Sequence, residues 1–384
     1  MKKLIYINSV DGHEISGQGS FERNFISFLD GLGVDFNVKI FTINSSRNII
    51  TDRIVSLKLN KSSKRSYIWY QIKLCYFLLL EVLVNRKVSV YIRLAPFNLV
   101  PFFIASLFRI KITVRSGPIY QNLSLYNKVS NSFLLVLFKY VLAYYYKKSC
   151  DIIVVTEKIK ETLLGDFRLS SSKIHVISNP INDSIFESEV DVTEIKRANG
   201  IESGDKVIGY VGDIYKEQGV QNILEAIALL RENRPIDRIK VLIVGSGSYL
   251  NECKRIVKDL DLQNNVMFTG RVEPNKVIEY INVFDICIAP FTKIDYDTKG
   301  SSALKVLEYL YCNKPVVTID VLEYKFIGEN VFGFLYEIDN IHDLSRKINL
   351  GLNLKSKIIS KDYVKKYYSK NEIFSKYLKI IDTN

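Results

Sequence analysis

From residue 207 onward, short apolar runs closed by glycine or a polar turn alternate with stretches whose apolar positions recur every three or four residues. VIGYVGDI (207–214), the first part of 239–260, NVMFTGRV (265–272) and DICIAPF (285–291) predict buried strands. QNILEAIALLREN (221–233), the second part of 239–260 and VIEYINVF (277–284) predict helices between them. Thr298–Val317 then reads as a small polar loop (Gly300, Ser301, Ser302) and an amphipathic helix carrying Lys305 and Glu308. Lys314-Pro315-Val316-Val317 follows as a turn leading into a fifth strand. Strand–helix alternation at this spacing implies a parallel, doubly wound sheet, whose ligands bind beyond the carboxyl ends of the strands. Gly212–Gly219, Gly245–Gly247, Gly270–Arg271 and Pro290–Ser302 all lie at such ends.

The N-terminal half follows the same grammar with a more apolar vocabulary. Residues 3–10 and 38–43 predict strands around a helix at 19–32. KRSYIWYQIKLCYFLLLEVLVNRK (64–87) is a strongly apolar, aromatic helix bracketed by Lys and Arg. It precedes a strand (SVYIRL), the segment PFNLVPFFIASLFRIK and a further Tyr-rich helix at 132–148. Residues 112–116, 151–156 and 173–182 complete the strands, with His175 placed as a structural residue in the last. Glu81, Pro101 and Lys139 interrupt the apolar runs before eighteen residues, which argues against a membrane span. The C-terminal segment, 362–384, predicts an amphipathic basic helix.

A chain of 384 residues suits two domains of roughly 180 residues each. The five cysteines are widely spaced without a C-x-x-C pair, which reads as reduced thiols and not as a disulfide or zinc framework. MKKLIYINSV begins like a signal peptide, but its apolar run breaks at Asn8 and reads better as a first buried strand. The net charge of +12 is uneven: residues 1–185 hold 25 Lys and Arg against 12 Asp and Glu, whereas 186–384 hold 28 against 29. This asymmetry points the first half toward an anionic partner. With no recognised nucleic-acid module present, two readings of its aromatic helices stand. They are core-facing helices of a Rossmann-like half, or part of their surface lies in a membrane interface.

Several residues carry candidate chemistry. The turn Asp11–Gly19 is a Gly-rich strand-to-helix connection, read either as a phosphate approach through Gly17 and Gly19 or as a tight turn. It does not fit a dinucleotide fingerprint. His13 and Glu14 beside it are candidates for a catalytic role in a cleft, and Arg93 and Arg115 at strand ends for gripping an acceptor phosphate. Asp295-Tyr296-Asp297 is a literal Asp-x-Asp triplet, read as a solvated loop and not as a metal site.

Thr298–Val317 resembles the nucleotide-sugar signature of family-4, retaining glycosyltransferases of bacterial surface polysaccharide assembly. In that pattern two glutamates are separated by seven residues and followed by a C-G-x-P-V-V-type turn. Glu308 matches the second glutamate and Cys312–Val317 the tail, while Gly300 stands at the first. Ser302-Ala303-Leu304-Lys305 is similar to serine-rich variants of the family. The family's G-R-x-x-x-x-K-G segment aligns with Gly212–Gly219, with Asp213 in place of the arginine and Gln218 in place of the lysine. KIHVISNPIN resembles the inter-domain crossover through Asn179 and Asn182.

The resemblance implies a GT-B fold of two Rossmann-like doubly wound parallel-sheet domains facing a central cleft. Residues 1–183 would serve the acceptor and membrane side, with 362–384 packing back on them, and 184–361 would bind the donor. It implies transfer, with retention, from a nucleotide diphosphate sugar (a UDP-sugar favoured) to a lipid-linked glycan, as in capsule or O-antigen assembly. The reaction would be metal-independent and without a cofactor, on the inner face of the cell membrane. Donor-binding residues would be Gly17, Gly19, Gly212, Lys216, Gln218, Gly245, Arg271, Ser301, Ser302, Lys305 and Glu308, with Lys216 also assisting catalysis. The departures at Asp213, Gln218 and Gly300 leave open a non-catalytic homologue, or an epimerase or hydrolase on the same fold.

Overall fold

The computed structural model describes residues 3–11, 24–29, 37–44, 49–50, 54–58, 64–85, 87–94, 99–117, 132–181, 191–300 and 304–382. The chain divides into two compact units, Met1–Pro180 with Lys370–Asn384, and Ile181–Ser369.

The first unit is built on an eight-stranded sheet. Its strands are β1 (Lys3–Asp11), β2 (Asn37–Asn44), β3 (Ile49–Ile50), β4 (Ile54–Lys58), β5 (Val88–Arg93), β6 (Lys111–Arg115), β7 (Asp151–Val154) and β8 (Ile174–Val176). They lie in the order β3-β4-β2-β1-β5-β6-β7-β8, parallel throughout except for the short β3–β4 pair. Residues 24–29 are helical (α1). The other helices are α2 (Lys64–Val84), α3 (Val100–Phe108), α4 (Ser132–Lys148) and α5 (Glu157–Phe167). The chain moves one way along the sheet through α1 and the other way through α2 to α5. Right-handed crossovers therefore place these two groups on opposite faces. Two separate cores follow. One joins α2–α5 to the sheet, and the other gathers Tyr6, Phe25, Leu29 and Tyr91 on the far side.

In the second unit, helices α6 (Thr193–Ala198), α7 (Val220–Asn233), α8 (Leu250–Asp259), α9 (Val277–Val283), α10 (Lys293–Lys299), α11 (Leu304–Tyr311), α12 (Lys325–Glu329), α13 (Ile341–Leu352) and α14 (Lys361–Tyr368) accompany a six-stranded parallel sheet. Its strands are β9 (Lys206–Val211), β10 (Ile239–Val244), β11 (Val266–Gly270), β12 (Ile286–Ala289), β13 (Val316–Ile319) and β14 (Gly333–Tyr336). The order β11-β10-β9-β12-β13-β14 reverses direction beside β9, so the carboxyl ends of β9, β10 and β12 flank a topological switch point. Runs such as Ile286–Ala289 are buried on every residue, as a parallel sheet covered on both faces requires.

Two expectations are corrected, and one composition argument is weakened. The C-terminal segment is not one helix. Ser369 is extended (φ −61°, ψ 157°), so α14 stays with the second unit and only α15 (Lys370–Asp382) joins the first, through Ile373, Phe374, Tyr377 and Ile381. Asp295 and Asp297 lie in helix α10, not in a loop. Arg65–Val84 is, by length and composition, apolar enough to cross a membrane despite Lys73 and Glu81.

Candidate functional site

The best-defined polar cluster of the second unit sits where β9, β12 and α11 converge. Lys305, in the first turn of α11, donates from Nζ to Gln218 Oε1 at 2.9 Å and to Tyr210 Oη at 3.1 Å. The same ammonium lies 4.4 Å from the Tyr210 ring centre and 5.0 Å from that of Phe291, a cation held against two aromatic faces. Gln218 Nε2 in turn donates to Asp295 Oδ1 at 3.0 Å, and Asp295 is buried. Tyr210 Oη donates onward to the Asp213 carbonyl at 2.7 Å. Each link fixes the next, so the Lys305 ammonium is set beside Gly212 by a chain of four side chains.

The strand ends are drawn together at the same place. Gly212 N–H donates to the Val244 carbonyl (3.0 Å), Ile214 N–H to Ser246 (3.0 Å) and Gly245 N–H to Gly270 (2.9 Å). Gly245 has φ +143°, and a Cβ there would stand 1.8 Å from the Gly212 carbonyl oxygen. Only glycine permits the two turns to touch. Beyond them Arg271 Nη2 meets Asp213 Oδ1 at 3.3 Å in an exposed pair.

Glu308 lies one turn past Lys305 on α11, whose Val306, Leu307, Tyr309, Leu310 and Tyr311 are buried. The adjacent Tyr309 hydroxyl accepts from Val211 N–H at 2.8 Å, which pins the helix to the end of β9. Glu308 is half-buried, and among the described residues none donates to its carboxylate. Burial pushes its pKa up to about 7, with Lys305 pulling the other way. In the folded chain the proton is therefore held more tightly than in the unfolded chain, so stability is lost as pH rises from about 4.5 to about 7. Glu308→Gln, which mimics the protonated form, should gain melting temperature relative to the wild type over that window. The gain should then stay level above it. Part of the side chain still faces solvent, so the difference should reach about 1–2 kcal/mol. Melting curves from pH 4 to 9 check this, and a constant difference across the range would contradict it.

Gly212, Asp213, Gln218, Gly245, Arg271, Lys305 and Glu308 are thus brought to one end of one sheet. Lys216 is not in the cluster. It is exposed in the turn before α7, and its charge is felt by Glu252 on α8. Gly300 is the left-handed cap (φ +66°) that ends α10, its N–H donating to the Tyr296 carbonyl at 2.8 Å. A glutamate there would be strained, which gives a local reason for its absence. The Asp295 and Asp297 carboxylates do not converge. Two residues apart on a helix, Asp295 turns inward to Gln218 and Asp297 pairs with Lys293 at 2.9 Å.

In the first unit Arg93 and Arg115 are register partners on β5 and β6. Arg115 is buried, with one N–H donated to Asn179 at 2.7 Å, and His175 pairs with Asp151 at 2.7 Å. His13, Glu14, Gly17, Gly19, Ser301 and Ser302 lie outside the described residues. Sequence reasoning missed Tyr210, Phe291 and Asp295 as supports. Tyr210 had one visible sign, a polar-tipped aromatic inside an otherwise aliphatic strand.

Residues 191–370 match the family described as Glycosyl transferases group 1. That match spans 180 of the chain's 384 residues, nearly all of them in the second unit. The chain is 29% identical over 204 residues to the alpha-monoglucosyldiacylglycerol synthase of Streptococcus pneumoniae, a match covering 52% of this chain and 44% of that protein. The chain spans about half the length of the curated relatives it matches. Among solved structures it resembles a glycosyltransferase from Rickettsia africae (TM-score 0.73, 17% identity, covering 100% of this chain and 99% of that one). It also resembles HepE from Anabaena in complex with UDP (TM-score 0.71, 12% identity, both chains covered fully). At these identities the likeness is one of fold, and that fold is GT-B, with two parallel-sheet α/β domains. In the second unit Gln218 meets the ammonium of Lys305, and Asp213 meets the guanidinium of Arg271.

Proposed function

We propose that the chain transfers a sugar from a nucleoside diphosphate sugar, UDP-linked, to a lipid-linked glycan acceptor with retention of configuration. The observation that carries this reading is the Lys305 ammonium fixed beside Gly212, one helical turn from a half-buried Glu308 carboxylate. The first suits a diphosphate and the second a pair of ribose hydroxyls. UDP in the HepE structure and the glycolipid product named for the streptococcal relative favour this donor and this acceptor class.

In this mechanism the bond from the anomeric carbon to the β-phosphate oxygen breaks while an acceptor hydroxyl approaches from the same face. The acceptor proton passes to the departing phosphate, and Lys305 offsets the charge developing there. Because side-chain cations fill that role, the reaction is proposed as metal-independent, on the cytoplasmic face of the membrane.

The test is incubation of the purified chain with labelled UDP-sugars and bacterial membrane lipid. The reading expects label to move into a solvent-extractable lipid with release of UDP, unaffected by EDTA. Release of free sugar alone would indicate a hydrolase. Gly300 as a helix cap and the paired Asp213 favour a second reading, a non-catalytic homologue, for which no sugar donor yields labelled product.

A further inference from the structure

Helix α2 is apolar on both sides. Tyr70, Leu74, Leu78 and Val82 recur every four residues and bury against β4 and α3. Trp69, Ile72, Tyr76 and Leu83 recur at intervals of three, four and seven on the opposite side and are exposed, Trp69 at 63%. A helix apolar all round needs cover on all sides, and folding covers only one side of α2. The neighbouring helices repeat the pattern. On α3, Phe103 (67% exposed) and Leu107 stand one turn apart, and on α4 so do Tyr140 (72% exposed) and Tyr144. Helix α3 touches both α2 and α4, and all three lie on the same face of the sheet, so the outward stripes form one patch.

The charge on these helices is almost all of one sign, although Lys139 pairs with Asp166 of α5 at 3.8 Å. Helix α2 carries Lys64, Arg65 and Lys73; Arg109 and Lys111 follow α3; α4 carries Lys139, Lys147 and Lys148. The one acidic residue of the three helices, Glu81, is turned away to Lys3 and Lys39. A second copy of the chain docking here would oppose two basic faces, whereas an anionic bilayer meets both the charge and the apolar area. We infer that the α2–α3–α4 face lies in the plane of an anionic membrane, with Trp69, Phe103 and Tyr140 at the depth of the headgroup–acyl boundary and the lysines above it. The inward stripe of α2 stays in the core, so the helix lies along the surface and does not span it. This deepens the proposed function, resting on it for a lipid-linked acceptor.

Trp69 is the chain's single tryptophan, so its fluorescence reports on this face alone. The full chain is mixed with phosphatidylcholine vesicles with and without phosphatidylglycerol, and with lipids brominated near the headgroup or at the chain end. The expected result is a blue shift requiring phosphatidylglycerol, with quenching strongest for shallow bromines. Phe103→Ser with Tyr140→Ser should raise the lipid concentration at half-shift by roughly tenfold, and Lys147→Gln with Lys148→Gln should raise it several-fold. Unchanged UDP binding in these variants shows that they fold. No shift, a shift that tracks protein concentration without lipid, or quenching strongest at the chain end would each overturn the inference. UDP binding without lipid binding defeats this inference alone. Lipid binding without any nucleotide binding upholds it and defeats the transferase reading.

Discussion

Replacing Lys305 by methionine should lower sugar transfer by roughly a hundredfold to a thousandfold, the usual loss when one preorganised donor to a developing charge is removed. Methionine keeps the unbranched stem as far as Cε beside the Tyr210 and Phe291 rings, so the change removes chiefly the ammonium. Gln218 Oε1 and Tyr210 Oη each lose a donor, a secondary effect that should cost about 1–3 kcal/mol of stability at most. Lys305→Arg should restore little, because the longer side chain with its rigid planar fork cannot place one cationic nitrogen to donate to both Gln218 Oε1 and Tyr210 Oη as the compact ammonium does. Lys216→Met is the matched control. An exposed charge outside the cluster should change the rate by no more than about fivefold. Steady-state rates for the three variants decide the matter. Equal losses at 216 and 305 would show that the charge is not supplied from α11.

Gly245→Ala should destabilise the second unit by about 3–5 kcal/mol, since strain at φ +143° adds to a Cβ set 1.8 Å from the Gly212 carbonyl. For a unit of this size the melting temperature should fall by roughly 10 °C. The alternative to unfolding is separation of the β9 and β10 ends, which removes the Gly212 surface beside Lys305. A variant that stays folded should therefore lose nucleotide affinity. Calorimetric melting with nucleotide titration checks both, and a variant with wild-type stability and affinity would show that the two turns need not touch.

The strands of the second sheet were legible because Val207–Val211, Val241–Val244 and Ile286–Ala289 are apolar on consecutive residues and end at glycine or a turn. β14 was not, because an edge strand that is mostly half-buried carries a weak pattern, GFLY. The break at Ser369 was invisible because Lys and Tyr continue the helical spacing through it.

The site was legible at Glu308 and at the strand-end glycines, whose types and spacing report local backbone. It was not legible in how the charges are assigned. Lys216 looks better placed for Gln218 in sequence, yet the fold brings Lys305 to it from 87 residues away. Likewise Asp295 reads as one half of a solvated triplet until α10 turns it inward.

The central claim is that the strand-end cluster of the second unit holds a nucleoside diphosphate through Lys305 and Glu308. Isothermal titration of UDP into the full chain, beside Lys305→Met and Glu308→Gln, tests it most directly. The account predicts saturable one-site binding by the wild type, weakened at least about tenfold by each change. It further predicts a pH dependence near 7 that disappears in Glu308→Gln. UDP binding of undiminished strength in both variants, or none in a folded wild type, would contradict it.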